Sequence, residues 1–171
     1  MHRFIADGML GRITRWLRIL GCDVTYSNDA SDDWLLATAA KEGRVLLTRD
    51  VELFRRARTH GVDAFFVEET TTSEQIAALA KRYPIRLDVD LALSRCPTCG
   101  ASIRLIEKAE IVGKVPAGTL AHYTAFWICV GCSQVYWQGS HWAGIREIVD
   151  KAKKLVLEHS DSEERFTDTR E

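Results

Sequence analysis

The sequence lacks an excess of charge of either sign, and it lacks a long hydrophobic run. Its 171 residues include 23 basic and 24 acidic side chains, so that the formal net charge is −1. Because there is no overall positive charge, a nucleic-acid-binding surface would have to come from local clusters of cations. No apolar run approaches the length of a membrane-spanning helix. We therefore expect a cytoplasmic globular protein without a membrane partner.

The first 21 residues are rich in arginine, which is typical of a transit peptide. Asp7 and the strand-like run over residues 3–6 argue against that interpretation. A hydrophobic content of 46% and a charged content of 27% are ordinary for a folded protein. The length allows one domain or one and a half, and it is sufficient for a real hydrophobic core.

The five cysteines do not form the pattern of a disulfide framework. Cys22 stands alone, whereas Cys96 with Cys99 and Cys129 with Cys132 form two C-x-x-C pairs. Two thiolates on one tight turn can hold one side of a tetrahedral zinc ion, and a second pair completes the site. We predict a closed, structural zinc site in a reducing compartment. Iron bound by four thiolates is an alternative, and two matched pairs disfavour a redox motif.

Residues 1–83 alternate between short apolar runs and amphipathic helical patterns. The apolar runs predict four strands, at residues 3–6, 23–26, 44–48 and 63–67. A helical pattern follows each run, and the last carries a predicted capping box from Thr72 to Gln75. Strands that alternate with helices predict an α/β fold with a parallel, three-layer sheet.

The character of the sequence changes after Pro84. The cysteine region is rich in β-forming and turn residues, and an apolar stripe from Ala143 to Leu157 predicts a C-terminal helix. We place a boundary near residue 90. The predicted parts are an α/β domain over residues 1–90, a small β-rich zinc ribbon with the C-terminal helix over 91–157, and a disordered polar tail over 158–171.

Two of the predicted strands end on aspartates, Asp7 and Asp50. Because the carboxyl ends of parallel strands meet at one edge of a sheet, we expect both acids there, and Asp32 can lean over the same crevice. Three carboxylates repel one another, so the pattern predicts a neutralising Mg²⁺ or Mn²⁺ ion. Such an ion can orient a water molecule against a phosphodiester. Each aspartate also precedes a predicted helix, so helix capping is the alternative.

Three arginines, Arg12, Arg15 and Arg18, lie three residues apart on the first predicted helix, opposite its apolar stripe. Such a row can hold phosphates, and a solvated outer face is the alternative. We assign substrate binding to Arg12, Arg15 and Arg49. Further arginines that would extend the patch are Arg44, Arg55, Arg56 and Arg58.

The cysteine region also contains several large aromatic residues, Trp127, Tyr136, Trp137 and Trp142. These rings can stack on unpaired bases. They can equally supply the core that a small β module needs. His141 in "GSHW" has the same two interpretations, as an RNA contact or as a capping and packing residue.

Several segments resemble the C-terminal ribonuclease-type domain of the mutator-type exoribonucleases. They are "RFIADGMLGRITRWLRILGCDVTY", "DDWLLATAAKEGRVLLTRDVEL", "RCPTCG" and "CVGCSQVYWQGSHW", in this order over roughly residues 3–150. The resemblance implies a PIN-like fold with an appended zinc ribbon. It also implies a metal-dependent ribonuclease with Asp7, Asp32 and Asp50 as its acids. PIN nucleases generally use a further acid, which the sequence does not identify.

Our leading hypothesis is a divalent-metal-dependent ribonuclease whose partner is RNA, above all single-stranded RNA, with the ribbon helping to hold it. A non-catalytic adaptor that binds RNA or protein is the first alternative, and a toxin-like nuclease controlled by a partner is the second. Convergence of the three carboxylates on one metal would favour the enzyme. Three separate helix caps would favour the adaptor.

Overall fold

The computed structural model of the protein describes residues 3–167, with side chains as far as residue 158. Its first four strands are β1 (Arg3–Ala6), β2 (Asp23–Tyr26), β3 (Val45–Thr48) and β4 (Ala64–Phe66). They form a parallel sheet in the order β2-β1-β3-β4, which confirms the predicted parallel sheet. Because β2 and β3 lie on opposite sides of β1, a crevice is expected at the carboxyl ends of β1 and β3.

Helices cover both faces of this sheet. The first four are α1 (Gly11–Ile19), α2 (Asp32–Glu42), α3 (Val51–Thr59) and α4 (Thr72–Arg82). Ile5 and Leu46 lie in the core with residues of α2 and α3, whereas Phe4 and Leu47 lie in the core with residues of α1 and α4. Since successive strand residues point to opposite faces, both faces of these strands are buried. This burial explains why the strands are continuous apolar runs in the sequence.

The capping box of α4 lies one residue earlier than predicted. Thr71 and Glu74 form it, instead of Thr72 and Gln75. Both pairs combine a threonine with a residue that can cap three positions later, so the sequence pattern fits either register. In the structure α4 begins at Thr72, which makes Thr71 the capping residue.

The cysteine region forms a second, smaller sheet. Its strands are β5 (Ile103–Ile106), β6 (Phe126–Cys129) and β7 (Val135–Tyr136), and the short helix α5 (Ala117–His122) separates β5 from β6. The three strands are antiparallel in the order β5-β6-β7. Fully buried Ile111 and Phe126 lie in its small core. The predicted β-rich module is therefore confirmed.

The last helix, α6 (Trp142–Thr167), returns to the first sheet. Val149 and Ala152 are buried in the same core as residues of α1 and α4, although the sequence groups this helix with the ribbon. The helix continues past Leu157, where the sequence predicts its end. The predicted disordered tail, 158–171, therefore begins within the helix, and residues 168–171 lie outside the described residues.

Two contacts attach the start of the ribbon to the end of α1. The hydroxyl of Ser94 donates to the carbonyl of Ile19 at 2.6 Å, and the backbone N–H of Arg95 donates to the carbonyl of Arg18 at 2.8 Å. The ribbon is thus held against the α/β layer by direct hydrogen bonds. Among the helices in the described part of the chain, none combines the length and the apolar character that crossing a membrane requires.

Candidate functional site

Asp7 and Asp50 are linked at the carboxyl edge of the two central strands. Thr48, the fully buried last residue of β3, donates its hydroxyl to Oδ2 of Asp7 at 2.9 Å. The same hydroxyl accepts the backbone N–H of Asp50 at 2.9 Å. The backbone N–H of Asp7 in turn donates to the carbonyl of Leu47 at 3.0 Å. The register of β1 and β3 therefore places both acids at the crevice, where the strand ends predict them.

The two acids differ in what their carboxylates do. Oδ1 of Asp50 caps α3, because it accepts the backbone N–H groups of Glu52 at 2.7 Å and Leu53 at 3.0 Å. Asp7 precedes a short 3-10 turn but makes no capping hydrogen bond with its side chain. Its carboxylate accepts the Thr48 hydroxyl instead. Capping therefore accounts for Asp50 in part and does not account for Asp7.

Asp32 lies in the first turn of α2 and is held differently. Ser31 caps this helix by accepting the backbone N–H of Trp34 at 3.3 Å, so Asp32 is not the capping residue. Arg56 of α3 reaches across to Oδ2 of Asp32 at 3.3 Å and also pairs with Asp33. A cation from the neighbouring helix thus compensates the Asp32 charge.

The cysteines lie close enough together to share a metal ion, and the three acids do not. Within residues 3–158, the four cysteines are the only group of three or more histidine, cysteine, aspartate or glutamate residues whose ligand atoms all lie within 4.8 Å of one another. The carboxylates of Asp7, Asp32 and Asp50 do not together form such a group. The structure brings Asp7 and Asp50 together through Thr48 and leaves Asp32 with Arg56, so the three-acid site stays a prediction.

If the predicted Mn²⁺ site lies at this edge, replacing Arg56 with glutamine is expected to raise its affinity for Mn²⁺ about threefold. The change removes the cation that compensates Asp32 and Asp33, and the effect is small because solvent screens exposed ion pairs. Titration calorimetry with Mn²⁺ measures the effect. The matched control is Arg55→Gln, since Arg55 lies on the same helix and forms no ion pair within the described residues. Equal affinity in the two variants would contradict competition by Arg56.

Sequence reasoning did not identify Glu69, which follows β4 at the same edge of the sheet. Its Oε2 is buried and has no hydrogen-bond partner among the described residues. Arg49 donates to the carbonyls of Val67 at 2.9 Å, Glu68 at 3.4 Å and Glu69 at 2.6 Å. Arg49 therefore positions the loop that carries Glu69. The available signal was the acid pair directly after the fourth apolar run.

The predicted arginine row is divided by the fold. Arg12 and Arg15 are exposed on α1, and neither has a hydrogen-bond or ion-pair partner within the described residues. The prediction was wrong for Arg18, whose exposure is only 5%. Arg44 is also buried and pairs with Asp23 at 3.0 Å, at the opposite edge of the sheet. The exposed cations of the row are therefore Arg12, in the first turn of α1, and Arg15, at its middle.

Arg18 joins the first sheet to the cysteine turn. Its guanidinium donates to the carbonyl of Val24 at 2.9 Å and to the carbonyls of Pro97 and Thr98 at 3.3 and 3.1 Å. Gly100 makes this contact possible, because its φ is +80° and a Cβ there would lie 3.0 Å from Nε of Arg18. Burial lowers the pKa of Arg18, and charge on the nearby thiolates opposes that shift.

The four cysteines form a candidate metal centre between the two turns. The sulfur atoms of Cys96 and Cys132 lie 3.6 Å apart, and those of Cys99 and Cys129 lie 3.4 Å apart. A tetrahedral zinc ion with Zn–S bonds of 2.3 Å requires sulfur separations of about 3.8 Å. The four side chains therefore fit a structural metal ion such as zinc, as their spacing predicts.

The thiol pKa values indicate how a cation would act at this candidate centre. Burial acts to raise the pKa of Cys96, but hydrogen bonds from the Tyr136 hydroxyl, at 3.0 Å, and from backbone N–H groups lower it to about 6. The backbone N–H of Gln134 acts to lower the pKa of Cys132, but desolvation and the neighbouring sulfurs raise it to about 12. The first thiolate is favoured and the last is disfavoured, so four thiolates coexist when a metal ion neutralises them.

The family model described as the Mut7-C RNAse domain matches residues 2–149 of the chain. No curated protein and no solved structure matches the chain significantly. The matched segment contains the linked acids at the sheet edge, the exposed arginines of α1 and all four cysteines. It therefore confirms the resemblance to a ribonuclease-type domain that the sequence motifs indicate. The chain belongs to the Mut7-C RNAse domain family.

Proposed function

We propose that the protein is a divalent-metal-dependent ribonuclease with a PIN-like fold, and that it hydrolyses RNA at the carboxyl edge of β1 and β3. The observation that carries the proposal is the Thr48 bridge, which holds Asp7 and Asp50 at the switch point of the parallel sheet. The match of the chain to an RNase domain family supports the same reaction class.

The residues at this edge suit a hard cation. Asp7 and Asp50 offer exposed or half-exposed carboxylate oxygens, which are the ligands that Mg²⁺ and Mn²⁺ prefer. Asp32 is the third acid of the proposed site. Glu69 is a candidate for the further acid, because its Oε2 is buried and has no partner among the described residues. When bound, the ion would supply Lewis-acid stabilisation and an activated water.

The other residues of the edge orient the acids and the substrate. The Thr48 hydroxyl fixes one oxygen of Asp7, and two backbone N–H groups fix one oxygen of Asp50. Arg12 and Arg15 project from α1, which begins close to Asp7, and they would contact RNA phosphates. Arg49 would act on the substrate mainly by positioning the loop after β4.

We further propose that the cysteine centre holds zinc. Four thiolates leave no open coordination position, so the role of this ion would be structural. The ribbon that it organises lies against α1 and would help to hold single-stranded RNA. In this arrangement RNA is cleaved at the carboxyl edge of β1 and β3, and the ribbon supports the substrate.

Cleavage of end-labelled single-stranded RNA with Mn²⁺ or Mg²⁺ tests the proposal. Asp7→Asn and Asp50→Asn are expected to lower the cleavage rate about a hundredfold, as the loss of one stabilising group in an active site typically does. Asparagine keeps the shape and much of the capping ability of aspartate. The matched control is Asp150→Asn on α6, which is expected to cleave like the wild type.

Two outcomes would contradict the ribonuclease. Equal cleavage by wild type and Asp50→Asn would place the reaction elsewhere. RNA binding without cleavage would favour the adaptor, for which the pairing of Asp32 with Arg56 is the supporting observation.

A further inference from the structure

A cavity of about 210 Å³ lies where the ribbon meets α1 and α6. Its walls include the aromatic side chains of Tyr136, Trp137 and Trp142, and Ile19 closes it at the end of α1. The volume is smaller than that of pockets for drug-sized ligands, so it suits a single flat ring system. The cavity contains none of the acids proposed for catalysis.

Gly139 lies beside two of the side chains that line this cavity, Trp137 and His141. A Cβ at this position would lie 2.9 Å from Nε1 of Trp137 and 3.3 Å from Nδ1 of His141. The close approach of both side chains to the turn therefore depends on glycine. Neither the indole N–H nor the imidazole has a hydrogen-bond partner among residues 3–158. The indole N–H and an imidazole nitrogen of two side chains that line the cavity thus lie close together beside Gly139.

Helix α1 connects the cavity with the acid edge. It begins at Gly11, near Asp7, and ends at Ile19 in the cavity wall. Nine helical residues span about 14 Å. Arg12 and Arg15 are exposed along this helix without a protein partner within the described residues. A single strand that follows α1 would meet cations before it reaches the aromatic walls.

We propose that this cavity binds one unpaired nucleobase of the RNA whose backbone is cleaved at the Asp7 and Asp50 edge, which rests on the proposed ribonuclease function. The base stacks on the aromatic side chains, as bases do on single-strand-binding proteins. Trp137 and His141 hydrogen bond to its edge, and Arg95 in the cavity wall, which also donates to the carbonyl of Gly100 at 3.1 Å, attracts the adjoining phosphate by its charge. The cations and the free polar groups favour a base over the apolar side chain of a protein partner.

Titration of the zinc-loaded full chain with adenosine 5′-monophosphate tests this assignment. The nucleotide is expected to shift the indole N–H resonances of Trp137 and Trp142 saturably, whereas ribose 5-phosphate leaves them unchanged. His141→Gln is expected to lower the affinity for the nucleotide about fivefold, as the loss of one hydrogen bond does. Trp137→Phe, followed at the Trp142 resonance, is expected to lower this affinity by a similar factor. The matched control is His122→Gln, an exposed histidine of the same module.

Several outcomes would overturn the assignment. They are the absence of a saturable shift, equal shifts by nucleotide and ribose 5-phosphate, and saturation by N-acetyltryptophanamide in place of the nucleotide. Asp50→Asn is expected to bind the nucleotide like the wild type, which separates the two proposals. RNA cleavage that depends on Asp50 without nucleotide binding would overturn the cavity alone. Nucleotide binding without RNA cleavage would support the cavity and overturn the ribonuclease.

Discussion

Replacing Cys96 with serine is expected to release the zinc ion proposed for this centre and to unfold the ribbon, with a larger loss of stability than Arg18→Met causes. A serine hydroxyl does not ionise near neutral pH, and structural zinc contributes about 10–16 kcal/mol of apparent binding free energy in zinc-finger peptides. The α/β layer shares hydrogen bonds with the cysteine turn, so its thermal midpoint is expected to fall about 10 °C or more. Zinc content by atomic emission and thermal unfolding by circular dichroism measure both effects.

The control for this experiment is Cys22→Ala. Cys22 is also buried, but it lies in the core that residues of α1 and α4 form with the parallel sheet, away from the other sulfurs. The variant is expected to keep its full zinc content and to lose about 1 kcal/mol from a small cavity. A Cys96→Ser protein that retains both zinc and the wild-type midpoint would contradict a four-cysteine metal centre.

Replacing Arg18 with methionine is expected to lower the free energy of unfolding by about 3 kcal/mol or more. The change keeps an unbranched apolar stem but removes the donor from the buried carbonyl of Val24 and from the partly buried carbonyls of Pro97 and Thr98. A buried unpaired group costs about 1–3 kcal/mol. Two of these carbonyls, at Pro97 and Thr98, lie inside the first cysteine turn. Zinc affinity is therefore expected to fall about tenfold, as it does when groups around a metal ligand are lost.

Denaturant unfolding and competition for zinc with a chelating dye measure the two effects of Arg18→Met. The matched control is Arg15→Met, one turn earlier on the same helix, because Arg15 is exposed. The free energy of unfolding of that variant is expected to lie within about 0.5 kcal/mol of the wild-type value. Equal stability of the two variants would show that Arg18 does not join the layers.

The parts of the fold that the sequence predicts are those with a local signal. Buried parallel strands are short apolar runs, and a strand end carries its next residue to a known edge, which places Asp7 and Asp50 correctly. The cysteine spacing likewise predicts the metal centre, because each pair needs only one tight turn. The metal-dependent role of the acids stays a prediction.

The remaining features depend on contacts between distant residues. Helical periodicity places Arg18 on an outer face, but the cysteine turn covers that face and buries the guanidinium. The partner of Asp32 is Arg56 on another helix, and no spacing rule connects them. Ser31 and Asp32 are both good capping residues, so only the backbone of α2 selects between them.

The packing of α6 determines when the first sheet can finish folding during synthesis of the chain. The layer against the first sheet contains α1, α4 and α6, and Val149 and Ala152 of α6 complete its core. The ribbon is therefore an insertion within a discontinuous domain, and it is tethered at both of its ends. A nascent chain that has emerged only as far as α4 lacks one helix of its own core. The first sheet can reach its final packing only after the entire ribbon has left the ribosome.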